Sequence, residues 1–265
     1  MTKSAAAFKK VCRLAGRAVA EYRMIRPGDR IAVGVSGGKD SMMLLEVLQQ
    51  LRRRAPVEFA ILAVTFDPGF AGFNAAAVAG YCRERGWEHR TVAMALEPLL
   101  KECQAERRPC VLCSRLRRGK LYGAAADWQA DKLALGHNLD DIAVSLLIGL
   151  FRGQGVTTMG PNVPADEAAL RLIRPLALVP ESLVREAAEG FDWPEAGACR
   201  YAEQLKERGD RAFFGNWLER LEKRIPHVRQ QMLRSMQDVR PAYLLDKRFI
   251  EWEEQQKQSN EWGRE

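Results

Sequence analysis

Residues 31–48, IAVGVSGGKDSMMLLEVL, constrain the fold more than any other stretch of this chain. IAVGV is a short apolar run of the kind that fills a buried parallel strand. Ser36, Gly37 and Gly38 then turn the chain, and Leu44, Leu48 and Leu51 recur at helical spacing. A strand that passes through a glycine turn straight into a helix opens a βαβ unit. The alternation continues. VEFAILAVTFD (57–67) reads as a strand, 74–85 as a helix and HRTVAM (89–94) as a third strand. KLALG (132–136) is a strand followed by the apolar helix LDDIAVSLLIGLF, and LRLIRPL (170–176) carries another short strand. The expected fold class is α/β, with a doubly wound parallel sheet. Such sheets bind ligands beyond the carboxyl ends of their strands. SGGKDS (36–41) and GHNLDD (136–141) both belong on that edge.

The flanks are helical. Residues 5–22 set Phe8, Val11, Ala15, Val19 and Tyr22 on one face, and RPGD (26–29) ends the helix. SRLRRGKLYGAAADWQ (114–129) reads as a helix despite two glycines, and WLERLEKRIPHVRQQMLRSMQ (217–237) as a charged helical stretch interrupted by Pro226. Three regions follow: an N-terminal helix (1–27), a nucleotide-binding sheet domain with a CxxC insertion (28–190), and a C-terminal helical region (191–265). No run reaches the eighteen or so apolar residues of a membrane span. Lys and Arg break up the N-terminus too often for a signal peptide. The expectation is a cytoplasmic protein with no membrane association.

The phosphate-loop signature is incomplete as a Walker loop, which needs glycine where Val33 stands and Ser or Thr where Asp40 stands. Glycines still let backbone N–H groups approach a phosphate, and a helix N-terminus adds positive potential. Lys39 can neutralise phosphate charge, Asp40 suits a place beside Mg²⁺ or an N-cap, and Ser41 can donate or cap. In the second motif, His137 and Asp141 share a helix face if the helix starts that early. Asp140 and Asp141 also suit a helix dipole. A tight turn and a first-turn acid pair would explain these letters without any ligand. A histidine at the carboxyl end of a strand, after Gly136, more often lines a site.

Six cysteines are present: Cys12, Cys82, Cys103, Cys110, Cys113 and Cys199. Cys110 and Cys113 form a C-x-x-C pair, a spacing that lets two thiolates reach one metal or cluster. Structural zinc needs four ligands, yet there is no second C-x-x-C and only His89, His137 and His227 offer nitrogen. A redox dithiol lacks thioredoxin-like context, since the pair reads as part of a basic loop. Spacing permits either Cys103 or Cys199 as a third ligand. Cys12 and Cys82 fall in helices and read as core thiols. The formal charge is +7, and residues 101–120 hold seven basic and two acidic side chains around the pair. An anionic partner is favoured. Arg107, Arg108, Arg115, Arg117, Arg118 and Lys120 fit RNA phosphates, although a solvated helix face explains most such runs.

The segment VxVSGGKDS resembles the signature of the PP-loop ATP pyrophosphatases. CVLCSRLRRGKLY (110–122), LALGHNLDDI (133–142) and IRPLA (173–177) resemble, more narrowly, the TtcA group of tRNA 2-thiocytidine synthetases. Milder matches at MIRPGDR (24–30), DPGF (67–70) and MQDVRPAYLLD (236–246) extend the resemblance over nearly the whole chain. It implies ATP held by Ser36, Gly37, Gly38, Lys39, Asp40, Ser41, Gly136 and His137 with Mg²⁺, and catalytic roles for Lys39, Asp40 and Asp141. It further implies a 4Fe-4S cluster ligated by Cys110, Cys113 and Cys199, with one iron open to sulfur. The implied reaction adenylates the C2 oxygen of an anticodon-loop cytidine and replaces it with sulfur, releasing AMP and pyrophosphate. The implied partners are tRNA and a sulfur donor such as a cysteine desulfurase; a homodimer is compatible. Around Cys199 the chain departs from the family, which often has a preceding proline and a second cysteine three residues on. A lysidine-synthetase-like ligase with structural cysteines, thiolation of uridine, and a nucleotide-responsive RNA-binding protein remain the alternatives.

Overall fold

The computed structural model describes residues 2–103, 109–166, 169–197 and 209–249. Its sheet is built from β1 (Arg30–Gly34), β2 (Ala60–Asp67), β3 (His89–Ala93), β4 (Lys132–Ala134), β5 (Asn162–Pro164) and β6 (Arg171–Ile173). The spatial order is β3-β2-β1-β4-β6-β5, parallel throughout except for the β5–β6 edge pair. The chain winds one way from β1 to β3 and then returns to lay β4 on the other side of β1. The gap between the ends of β1 and β4 is thus the topological switch point, where doubly wound sheets open a crevice.

Strand alternation explains the continuous apolar runs. Ile31, Val33, Ile61 and Ala63 face a layer made by α1 (Lys3–Glu21), α2 (Lys39–Arg52), α3 (Ala75–Glu84) and α7 (Glu181–Ala188). Ala32, Leu62, Val64 and Leu133 face the other way, against Leu121 and Ala125 of α5 (Pro109–Asp127) and Trp128 just beyond it. Both faces are covered, so neither set can be polar. The α1 stripe packs on the core with Val11 and Ala15 fully buried and Phe8, Val19 and Tyr22 half-buried, while Ala18, outside the expected stripe, is also fully buried. The α2 stripe is wider than its leucine spacing implies, because α2 is enclosed on several sides and everything from Ser41 to Gln49 is buried.

Three features depart from the sequence reading. A short helix, α4 (Leu96–Glu102), and the three-residue strand β5 have no periodicity long enough to read. The C-x-x-C pair is not in a loop: it lies in α5 (Pro109–Asp127). The helix LDDIAVSLLIGLF has its expected bounds as α6 (Leu139–Phe151), with Asn138 as its N-cap, so the earlier start needed for a shared His137–Asp141 face is not met. His137 therefore precedes the helix and shares no helix face with Asp141. The C-terminal stretch forms α8 (Asp210–Arg224) and α9 (Val228–Gln237), broken at Pro226 as expected. Phe214, Leu218 and Val228 pack on Ala143 and Leu147 of α6, which sets these helices beside the crevice.

Candidate active site

The loop between β1 and α2 is braced from inside. The Ser41 hydroxyl accepts from the Ser36 N–H (3.0 Å), lies 3.1 Å from the Ser36 hydroxyl and donates to the Gly38 carbonyl (2.9 Å). Gly37 has φ +77°, and a Cβ there would collide with the methyl of Ala196, so only glycine fits. Gly38 is the N-cap and offers no side chain to the first-turn amides of α2. Those amides have no intrahelical acceptor and face the crevice mouth, where an anion can take them. Lys39 sits at the same turn, with Nζ 2.9 Å from Asp40 Oδ2 and 2.8 Å from Glu181 Oε1. Burial alone would push the ammonium toward neutrality, but the two carboxylates outweigh it and hold its pKa above that of an ordinary lysine.

The second motif docks directly onto the first. A Cβ on Gly136 would lie 3.0 Å from the Asp40 carbonyl carbon and oxygen and 3.1 Å from Ser41 N, so glycine permits this approach. Asn138, 2% exposed, accepts from the N–H groups of Asp140 (3.0 Å) and Asp141 (3.2 Å) and donates its amide to Asp40 Oδ1 (3.2 Å). Asp141 Oδ2 returns to the Asn138 N–H at 3.1 Å, closing a capping box. Asp140 Oδ2 accepts from the Glu181 N–H (2.7 Å), capping α7, while Oδ1 lies 2.7 Å from Arg229 Nε as an ion pair without hydrogen-bond alignment. Burial raises both aspartate pKa values, against the pull of their backbone donors and nearby arginines. Asp140 is thus a junction of α6, α7 and α9, and Asp141 is the acid left nearest Asp40.

His137 lies between these motifs and a third one. Its Nδ1 accepts from Arg174 Nε at 3.3 Å, and Arg174, 7% exposed, also donates to the Gly160 carbonyl. Burial, then the charges of Arg174, Arg211 and Arg117, push the imidazole down to about 4. Arg117 comes from α5 and Arg211 from α8, so the cysteine helix and the C-terminal helices both reach this mouth. The sequence does not mark Glu181, Arg174, Arg211 or Arg229 as site residues. Only IRPL hinted at Arg174, and the others are brought in by tertiary packing.

Cys110 and Cys113 lie three apart on one face of α5, and Arg117 follows one turn after Cys113. Cys113 packs with Phe70, Phe73, Leu96, Leu100, Leu112 and Leu116. The segment 191–197 lies across the PP-loop. Phe191 stacks on Trp193 and meets Phe8 of α1 edge-on, the Ala196 carbonyl accepts from Asn74 N–H (2.8 Å), and Gly197 (φ +76°) presses on the backbone of Gly72 and Phe73. The residue two positions before Cys199 therefore touches Phe73, which belongs to the cluster that holds Cys113. Cys199 itself, and Arg107 and Arg108, lie outside the described residues, among which no set of three or more His, Cys, Asp or Glu forms a metal site. Cys12 and Cys82 are pushed up to about 11 by burial, as befits inert core thiols. Cys103 is exposed at the end of α4. Arg115, Arg117, Arg118 and Lys120 are all exposed along α5.

A glycine loop at the switch point, an uncapped helix N-terminus and a lysine pinned beside it define a nucleotide-binding α/β protein, and residues 9–197 match the model of the PP-loop domain. The chain belongs to that family. Within it, the chain is 40% identical to a tRNA-cytidine(32) 2-sulfurtransferase of Geobacter sulfurreducens, over 90% of this chain and 93% of that protein. It is 38% identical to the protein of the same name from Syntrophotalea carbinolica, over 90% and 92%. The chain is thus a member of the tRNA-cytidine(32) 2-sulfurtransferase family. Among solved structures, the U34-tRNA thiolase NcsA from Methanococcus maripaludis, described with its 4Fe-4S cluster, shares the fold with a TM-score of 0.68. That likeness is at 22% identity and covers 88% of this chain and 78% of NcsA. No helix among the described residues is long and apolar enough to cross a membrane.

Proposed function

We propose that this protein is an ATP-dependent tRNA sulfurtransferase that converts an anticodon-loop cytidine to 2-thiocytidine in the cytoplasm. The observation that carries the reading is the convergence of the PP-loop crevice and the cysteine-bearing face of α5. Ala196 stands against Gly37 of the phosphate loop, and the next residue, Gly197, stands against Phe73, which packs on the same cluster as Cys113. Nucleotide chemistry and thiolate chemistry therefore share one mouth.

Phosphates of ATP fit the amides of the α2 N-terminus, with Lys39 leaving Glu181 to neutralise them. Asp40 and Asp141, the carboxylates flanking Asn138, are suited to Mg²⁺ and to orienting the α-phosphorus. The cytosine C2 oxygen attacks that phosphorus, the α–β phosphoanhydride breaks and pyrophosphate leaves. Hydrosulfide then adds at C2, and the C2–O bond breaks with AMP carrying the oxygen away. Cys110, Cys113 and Cys199 suit a 4Fe-4S cluster: thiolates are its customary ligands, and Gly197 leaves Cys199 two residues, roughly 7 Å of chain, from the Phe73 contact. When bound by three thiolates, such a cluster offers one iron for holding sulfur. Exposed Arg115, Arg117, Arg118 and Lys120 supply charge for tRNA phosphates, and the sulfur reaches the site from a donor such as a cysteine desulfurase.

Nucleoside mass spectrometry of tRNA from a deletion strain tests the substrate. Loss of 2-thiocytidine, restored by the intact chain, is expected; an unchanged 2-thiocytidine level refutes the reading. Anaerobic purification tests the cluster: Cys110→Ser, Cys113→Ser and Cys199→Ser should each lose iron and acid-labile sulfide, while Cys103→Ser keeps both. A colourless wild-type protein with one zinc would overturn it.

A further inference from the structure

We infer that Arg174 is a positioning residue that fixes His137 in a single tautomer, with its proton on Nε2, so that His137 serves as a hydrogen-bond donor to a phosphate oxygen of the bound nucleotide. The inference rests on the nucleotide-site reading above and adds a role for two of its residues.

A guanidinium has only donors. Arg174 Nε–H points at His137 Nδ1 (3.3 Å), and the other end of the guanidinium is held by the Gly160 carbonyl. The Arg174 main chain is fixed as well, its N–H bonded to the Pro161 carbonyl (2.9 Å) and its carbonyl to the Ala177 N–H (3.0 Å). A ring nitrogen that accepts from a guanidinium must present its lone pair, so the one proton of a neutral imidazole sits on Nε2. A second proton would have to enter at Nδ1, against the Arg174 N–H and beside a fixed positive charge, with Arg117 and Arg211 adding repulsion. His137 is thereby barred from two common histidine roles. It has no accessible lone pair to act as a base and no imidazolium to act as an acid. What remains is a fixed N–H. Its location suits that role, because Gly136 touches the Asp40 backbone and Asn138 bonds the Asp40 carboxylate, which sets His137 beside the phosphate loop. A neutral donor stabilises phosphate charge without giving up a proton.

The test is ¹⁵N NMR of the full chain labelled at histidine, in which only His89, His137 and His227 contribute signals. His137 should carry its proton on Nε2 and show no titration from pH 8 to 5.5. Arg174→Lys puts a methylene where the Nε–H stood and should mix the tautomers, while burial, the larger cause, keeps the ring below the ordinary value of about 6.5. Should Arg174→Lys fail to fold, ATP-binding measurements on His137→Gln and His137→Asn decide, because only Gln extends an N–H to the Nε2 position. His137→Gln should bind ATP about tenfold more tightly than His137→Asn. A wild-type His137 protonated at Nδ1, or titrating near 6.5, or equal ATP affinity of the two variants, overturns the inference. Absence of thiolation by the wild-type protein would instead refute the sulfurtransferase reading and leave the tautomer measurement untouched.

Discussion

The Asn138 side-chain amide donates to the Asp40 carboxylate at 3.2 Å, across a sequence separation of 98 residues. One buried side chain thus caps α6 and steadies the acid of the phosphate loop, so that the ends of β1 and β4 act as one unit.

That double duty separates two substitutions. Asn138→Ala removes the acceptor for two α6 amides and the tie to Asp40, and should lower the unfolding free energy by about 1–2 kcal/mol. Asn138→Asp keeps the capping acceptor but sets a second carboxylate against Asp40 in a buried place. Its deficit should therefore grow between pH 5 and pH 8, as the pair is forced to ionise. Urea denaturation at the two pH values reads the difference, and a pH-independent Asp variant would show that the Asp40 contact carries little energy.

Gly136→Ala probes the close approach of the two motifs. The added methyl would stand 3.0 Å from the Asp40 carbonyl, a main-chain group that cannot rotate away. Stability should fall by about 1–3 kcal/mol, and ATP-dependent activity should fall further, since the displaced atoms belong to the phosphate loop. By contrast, Gly119→Ala and Gly123→Ala on α5, where an added Cβ meets nothing within 4 Å, should be neutral or mildly stabilising. Thermal denaturation of the three variants distinguishes contact from general sensitivity of glycines.

Lys39 is engaged by Glu181 at 2.8 Å, and a phosphate must replace that partner. Burial works to raise the Glu181 pKa, but Lys39 and Arg185 outweigh it and keep the carboxyl below its usual range, so the competitor is charged at neutral pH. Glu181→Gln removes the competing charge and should tighten nucleotide binding by about two- to fivefold, the scale of a partly exposed ion pair. Calorimetric titration with ATP checks this. Weaker binding would mean that Glu181 assists the ligand, for example through a cation, rather than competing with it.

What could be read in the sequence was local. The β1–loop–α2 unit was legible because a period change, two glycines and a lysine occur within eleven residues, and α1 because its stripe runs for five turns. The sheet class followed from repetition of that pattern. The helix LDDIAVSLLIGLF was legible with its bounds, and Asn138, a strong N-cap type with an acid three residues on, decides against the earlier start that a shared His137–Asp141 face would need. The helical state of Cys110 and Cys113 was hidden because C-x-x-C invites a loop. Glu181 and Arg229 were beyond reach for a different reason. Each enters the site by packing of a distant element, and nothing in its own neighbourhood changes period or composition.

His137 also makes stability depend on pH with a definite sign. Its folded pKa, about 4, lies below the unfolded value near 6.5 because burial and the charges of Arg174, Arg211 and Arg117 disfavour the imidazolium, while Asp141 and Asp40 on the neighbouring turns do not reverse this. Below pH 6.5 the unfolded chain therefore binds a proton that the folded chain refuses. The stability is fully present above about pH 6.5 and is lost as pH falls toward 4, by about 3 kcal/mol at most. His89, lowered by burial, contributes in the same direction, so the comparison must be made against a variant. His137→Gln removes one titrating group and leaves the other, and its unfolding free energy should fall less steeply between pH 7 and pH 4.5 than that of the wild type. Identical slopes would mean that the folded protein accommodates an imidazolium at this position, with Arg174 free to swing aside.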